Sequence, residues 1–230
     1  MVISGLPVTL ATGPRACGKS KLLQILQTIA GCDSVIFGDT SSIIDLHIQK
    51  GTEIGKQLAK YRKERADGKI IRNDALILKA LEQWIACMNM GGTVKHVLLG
   101  GSPRSKEQSL FWKKYSGNAR VLHITVKDFD MLLKCVSIRQ MEDGKSRTDE
   151  ELEALKASWK DYNELVVPGL KVFNGHALDL DRSTPLLDRV ERAIEHIALP
   201  NHVRDKWLRR LHTRNHPARV EISRLELQNN

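Results

Sequence analysis

Cysteine is scarce in this chain, and no two cysteines stand close: Cys17, Cys32, Cys87 and Cys135 form no Cys-x-x-Cys pair. That spacing excludes a zinc ribbon and a disulfide framework as the organising device and leaves reduced thiols as the default. Long apolar runs are missing as well, so no segment reaches the roughly 20 residues that cross a bilayer as a helix. The opening residues, Met1 to Leu6, lack the basic start of a secretory signal, and a soluble cytoplasmic protein is the expectation. Acids are outnumbered, with 27 Asp and Glu against 36 Lys and Arg, for a formal charge of +9. A surplus of that sign draws phosphate in some form, as nucleotide, nucleic acid or acidic lipid. No internal repeat or low-complexity tract interrupts the chain, which excludes a solenoid.

What is present suits one α/β domain with insertions, since 41% hydrophobic residues in 230 suffice for a buried core. Short β-branched runs at 8–11, 34–37, 96–100, 120–126 and 177–180 alternate with helical stretches at 19–30, 42–50, 54–66, 74–88, 105–115, 128–138, 149–165 and 184–197. The alternation predicts a five-stranded parallel sheet flanked by helices. Leu199-Pro200-Asn201 separates a core, 1–198, from a C-terminal extension, 199–230, in which seven Lys or Arg against three acids leave +4. Val203, Trp207, Leu208 and Leu211 share one helical face there, which can pack on the core or on a second copy of the chain. Its arginines are either solvated or meet nucleic acid; a lone aromatic and no stacking array argue against the latter.

Gly13-Pro14-Arg15-Ala16-Cys17-Gly18-Lys19-Ser20 matches G-x-x-x-x-G-K-[ST] between a strand and a helix, the context that this motif requires. Successive N–H groups of such a loop turn inward around phosphate, Lys19 can bridge the β- and γ-phosphates, and Ser20 can hold magnesium. A P-loop NTPase fold follows, with ATP and Mg2+ as cofactors. Cys17 is either a reactive thiol near a helix start or simply a small residue at a variable position, and nothing suggests a resolving partner.

Beyond the loop the chain resembles adenylate kinases. Gly38-Asp39, Lys50-Gly51-Thr52-Glu53-Ile54-Gly55-Lys56-Gln57, Gly68-Lys69-Ile70-Ile71 and His96 to Ser105 with Gln108 follow that family's order. The segment Arg139 to Arg147 resembles its short lid, and Arg147-Thr148-Asp149-Glu150, Tyr162 and Pro168 continue the register. The resemblance implies an acceptor-binding insert at about 39–75 and a short lid at about 139–147. It also implies conversion of ATP and AMP to two ADP. Arg104, at a strand end, suits the acceptor phosphate and Gln108 the base, with Gly38, Asp39, Ile70, Ile71 and Gly101 around them. Lys19, Arg104, Arg139 and Arg147 are the implied catalytic cations, with Lys134 on the ATP side.

Four positions depart from that pattern. Gly100 stands where the family has a magnesium-linked aspartate, Ser42 and Ser158 where it has arginines, and Phe37 where it has a small polar residue. Magnesium is then expected to rest on Ser20, water and the phosphates, so that Gly100→Asp should tighten it. A P-loop kinase with another small acceptor and a nucleotide-binding pseudoenzyme with an interaction role are the competing readings.

Overall fold

A computed structural model describes residues 6–31, 33–66, 73–143 and 148–228. Five strands form one all-parallel sheet: β1 (Val8–Thr12), β2 (Val35–Asp39), β3 (His96–Gly100), β4 (Arg120–Thr125) and β5 (Ala177–Asp181), in the order β2-β3-β1-β4-β5. Every expected strand is present, its ends displaced by at most two residues. Alternation along them divides the core into two layers. Ala11, Leu98, Leu122, Ile124 and Leu180 face α1 (Lys19–Ala30) and, after β5, α9 (Leu186–His196). Val8, Leu10, Val97, Leu99 and Val121 face α4 (Asp74–Met88) and α5 (Lys106–Tyr115), where Trp112 is fully buried.

The connection after β1 runs through α1 on one face, and that after β3 runs through α5 on the other. The two chains part at the carboxyl edge between neighbouring strands, where open α/β sheets bind ligands. The insert between β2 and β3 begins with α2 (Thr40–Gln49) and α3 (Glu53–Ala66) and has its own small core of Ile54, Leu58, Leu76 and Ala80 against α4. Gly55 is needed there, because a Cβ would lie 1.9 Å from the His47 carbonyl oxygen of α2. The Gly-Thr-Glu-Ile-Gly stretch is therefore a helix-crossing device.

Three helical details differ from the sequence reading. After β4, α6 continues from Phe129 to Asp143, so the first part of the expected lid is helix. Residues 144–147 lie outside the described residues. Next, α7 (Asp149–Asp161), started by a Thr148–Glu151 capping box, widens into a π turn at Tyr162–Val166 before the short α8 (Val167–Leu170). Pro168, without an N–H, sits at the start of α8 and interrupts the regular ladder. Lastly, the extension holds two helices, α10 (Asn201–His212) and α11 (Pro217–Gln228), where one was expected.

That extension belongs to the main core. Trp207, Leu211, Ala218, Ile222 and Leu225 are buried in the same cluster as α1 and α9. The apolar face that the sequence offered to a second copy is thus covered within the chain. Asp33, just after α1, accepts from Lys206 Nζ at 2.5 Å, Trp207 Nε1 at 2.9 Å and Arg210 Nη1 at 2.9 Å. The same Arg210 nitrogen donates to the terminal α1 carbonyls of Ile29 and Ala30 at 2.6 and 2.7 Å. On α11, Glu221 pairs with Lys21 at 3.1 Å, and Glu226 accepts from the Leu187 N–H that opens α9.

Burial alone would raise the Asp33 pKa, but the Lys206 and Trp207 bonds and the Arg210 charge outweigh it and leave it lowered. Asp33→Ala should cost about 3 kcal/mol in urea unfolding at pH 7, since it strands three donors. Because the folded pKa is depressed, this contribution is whole above the ordinary aspartate value of about 3.9. It should fade as pH falls through the lower folded value, so the variant and the parent should converge in stability in acid.

Candidate functional site

The P-loop joins β1 to α1 at the carboxyl edge. Gly13 has no room for a side chain, because a Cβ would lie 2.7 Å from both the Ile124 carbonyl oxygen and Cys17 Sγ. Gly18, at φ +95°, caps α1 in a left-handed conformation that only glycine adopts cheaply. Lys19 folds over the loop and donates to the Gly13 and Pro14 carbonyls at 2.8 and 2.6 Å. Arg15 and Ser20 are exposed at the mouth, whereas Pro14 is buried and Ala16 half-buried. Cys17 is fully buried, and burial raises its thiol pKa against the charge of Lys19. The reactive-thiol reading therefore loses its physical basis, and the small-residue reading explains the position.

Beside the loop, the turn after β3 is tied to β1: Gly101 N–H donates to the Ala11 carbonyl at 2.9 Å, and the Thr12 hydroxyl to that of Pro103 at 3.0 Å. Arg104 is exposed there, its Nε donating to the Gly101 carbonyl at 2.7 Å. Gln108 is 1% exposed, and its Oε1 accepts from Arg104 N at 2.8 Å and from the Ser102 hydroxyl at 3.3 Å. Its Nε2 donates to Asp74 Oδ1 at 2.6 Å, while the other Asp74 oxygen accepts from the Ser105 hydroxyl at 2.6 Å. Trp112 Nε1 completes the set by donating to the Ser102 hydroxyl at 2.8 Å. Most of the amide assigned to base reading is thereby spent on orienting the arginine turn.

A cavity of about 360 Å³ opens against Arg104, lined by Thr40, Ser41, Ile44, Tyr61, Arg62, Ile77, Arg104 and Gln108. A second, of about 550 Å³, lies along β2 and includes Phe37, Gly38, Asp39, Ser42 and Trp84. Gly38 is accounted for by packing, because a Cβ would lie 2.7 Å from the Trp84 ring. Deeper in the sheet, Tyr162 OH lies 3.4 Å from the Thr12 hydroxyl, and His123 Nδ1 is 2.8 Å from Asp179 Oδ1. Burial raises the Tyr162 pKa and lowers that of His123, so both are neutral near pH 7.

The remaining sequence candidates are less gathered. Lys134 is exposed on α6, and Arg139 belongs to the last turns of that helix. Ile70, Ile71 and Arg147 lie outside the described residues. The sequence reading missed Arg62, which pairs with Asp45, and Asp74, which passes for a helix-start acid. It also missed Arg182 and Arg189 around the turn after β5. A Cβ on Gly18 would lie 3.8 Å from Arg182 Nε, which adds positive charge at the P-loop. Arg189 is buried, its Nε donating to the Thr184 carbonyl at 3.0 Å; burial and the neighbouring Arg182 hold its pKa down to about 10. The turn residues Asp181, Ser183 and Pro185 were the available signal.

No group of three or more His, Cys, Asp or Glu among the described residues could hold a metal alone. The expected benefit of Gly100→Asp meets an obstacle, because a Cβ at that position would lie 2.5 Å from Leu23 Cδ1 and 3.2 Å from Asp39 Oδ1. Replacing Gln108 by Leu should leave Arg104 N–H, the Ser102 hydroxyl and Asp74 without the amide. A loss of about 2–3 kcal/mol in urea unfolding is expected, and unchanged stability would show the network to be dispensable.

No protein-family model and no curated protein matches the chain. Solved structures do match it, among them an unliganded sugar kinase from Janibacter sp. HTCC2649 at 14% sequence identity and a TM-score of 0.50. The match covers 86% of this chain and 98% of that one. At such low identity the likeness establishes the fold alone: a five-stranded, all-parallel α/β sheet flanked by helices.

Proposed function

We propose that the protein transfers the γ-phosphoryl group of ATP to the phosphate of a nucleoside monophosphate, with AMP as the first choice. The observation that carries this reading is the cavity beside Arg104: among the described residues its lining holds two guanidiniums, Arg62 and Arg104, and no carboxylate or imidazole. Two guanidiniums, one of them shared with Asp45, suit an acceptor that is already an anion. A hydroxyl acceptor instead calls for a residue to take its proton, as an aspartate does in protein kinases. Ile44, Ile77 and Tyr61 add an apolar wall suited to a planar base.

In the reaction, an oxygen of the acceptor phosphate bonds to the γ-phosphorus as the bond to the β–γ bridging oxygen breaks. ADP leaves with that electron pair, and no proton needs to move. Lys19 leaves the Gly13 and Pro14 carbonyls for the ATP phosphates, and the loop N–H groups hold them in line. Magnesium, when bound with the nucleotide, offsets phosphate charge. Arg139, Arg147 and Lys134 close the charge balance from the lid side, and Arg182 adds to it beside Gly18. Arg62 lines the acceptor cavity and, shared with Asp45, offers a second guanidinium where residue 42 is serine.

One observation favours a second reading. The similar structure is called a sugar kinase, so a polyol acceptor deserves a place in the same assay. ADP formation should be measured with ATP and a panel of nucleoside monophosphates and sugars. AMP should be turned over, and Lys19→Met should lower kcat by at least about 10²- to 10³-fold. Arg104→Ala should raise the acceptor KM about 10- to 100-fold with little change for ATP. Preference for a sugar over every monophosphate would move the assignment to the second reading. ATP binding without turnover of any acceptor would favour the pseudoenzyme.

A further inference from the structure

The loss of an acid at position 100 coincides with an acid facing the same space from the neighbouring strand. Asp39 and Gly100 are register partners at the ends of β2 and β3, so they project to the same face of the sheet, towards α1. A Cβ at Gly100 would sit between Leu23 Cδ1 of α1, at 2.5 Å, and Asp39 Oδ1, at 3.2 Å. Leu23 is three residues after Ser20, on the same side of α1, so the hydroxyl of the P-loop and the carboxylate of β2 border one region.

The two oxygens of Asp39 are unequally used. Oδ2 caps α2, accepting from Ser41 N at 3.0 Å and Ser42 N at 3.3 Å. Among the described residues, no donor reaches Oδ1. A half-buried carboxylate with one oxygen fixed and the other aimed past a glycine at the P-loop helix is a preorganised acceptor for a hydrated cation.

We infer that Asp39 supplies the strand-end carboxylate that position 100 lacks and, with Ser20, holds the magnesium of the bound nucleotide. This assigns Asp39 to the metal and away from the acceptor. It rests on the nucleotide-binding reading above. Because Oδ2 caps α2, whose Thr40 and Ser41 line the acceptor cavity, the same side chain joins the metal to the acceptor helix.

The test is ATP binding by calorimetry, in EDTA and in magnesium, on the wild type and Asp39→Asn. Asparagine caps a helix as well as aspartate does, so α2 and the melting temperature should be unchanged. Wild-type protein should bind ATP in EDTA and more tightly with magnesium. Asp39→Asn should keep the metal-free affinity and lose about tenfold of the magnesium gain. Manganese with ATP serves as a second probe, and its electron paramagnetic resonance signal should differ between the two proteins. A full magnesium gain with an unchanged manganese signal in Asp39→Asn overturns the assignment. Absence of ATP binding in the wild type overturns the nucleotide reading itself, and this inference with it. Gly100→Asp, which would set a second carboxylate against the first, should weaken the magnesium gain; a stronger gain would show position 100 to be the better site.

Discussion

The parallel pairing of β1 with β3 is the constraint on which the site depends. It sets the P-loop and the Arg104 turn side by side, and the bonds from Gly101 to Ala11 and from Thr12 to Pro103 carry the pairing past the strand ends. Because α1 and α5 leave for opposite faces of the sheet, nothing from either helix crosses the gap between them. The P-loop and the Arg104 turn thus leave the sheet from strands one spacing of about 4.8 Å apart, which is the geometry the proposed direct transfer requires.

The helix that follows the P-loop is held at its far end by the extension. Arg210 satisfies the last carbonyls of α1 and, through Asp33, is joined to Lys206 and Trp207. Near the phosphate end, Lys21 is paired with Glu221 of α11. A cation at a helix C-terminus is favourable for the dipole, and here it also satisfies two carbonyls that the helix leaves open. Several basic residues of the extension, which the sequence left as either solvated or partner-binding, are spent on this internal work.

The departures from the adenylate-kinase pattern look less like losses once neighbours in space are considered. Residue 42 lacks an arginine, and Arg62 of α3 stands in the same cavity as Arg104. Residue 100 lacks an acid, and Asp39 of β2 borders the same space. Gln108 holds the backbone N–H of Arg104 by one hydrogen bond and is itself held by Asp74.

The strands, the P-loop and most helices were legible in the linear sequence, because these follow from local periodicity, glycine placement and a motif with its strand–helix context. The contents of the extension were only half legible. The stripe of Val203, Trp207, Leu208 and Leu211 revealed an amphipathic helix, but its choice of α1 and α9 as partner depended on Asp33 lying 174 residues from Trp207. The hydrogen-bond partners of Gln108, the cavity that Arg62 lines and the register partner of Asp39 were hidden for the same reason. A side chain's hydrogen-bond partners are set by strand order and helix crossing, and a register pair such as Asp39 with Gly100 spans 61 positions of the chain. Sequence alone determined the glycine-rich loop and the strands of the sheet that carries it, since both are short-range consequences of residue type. Only the tertiary structure decided which charges meet at that loop, because electrostatic and hydrogen-bonding contacts act over a few ångströms in space, however far apart their residues stand along the chain.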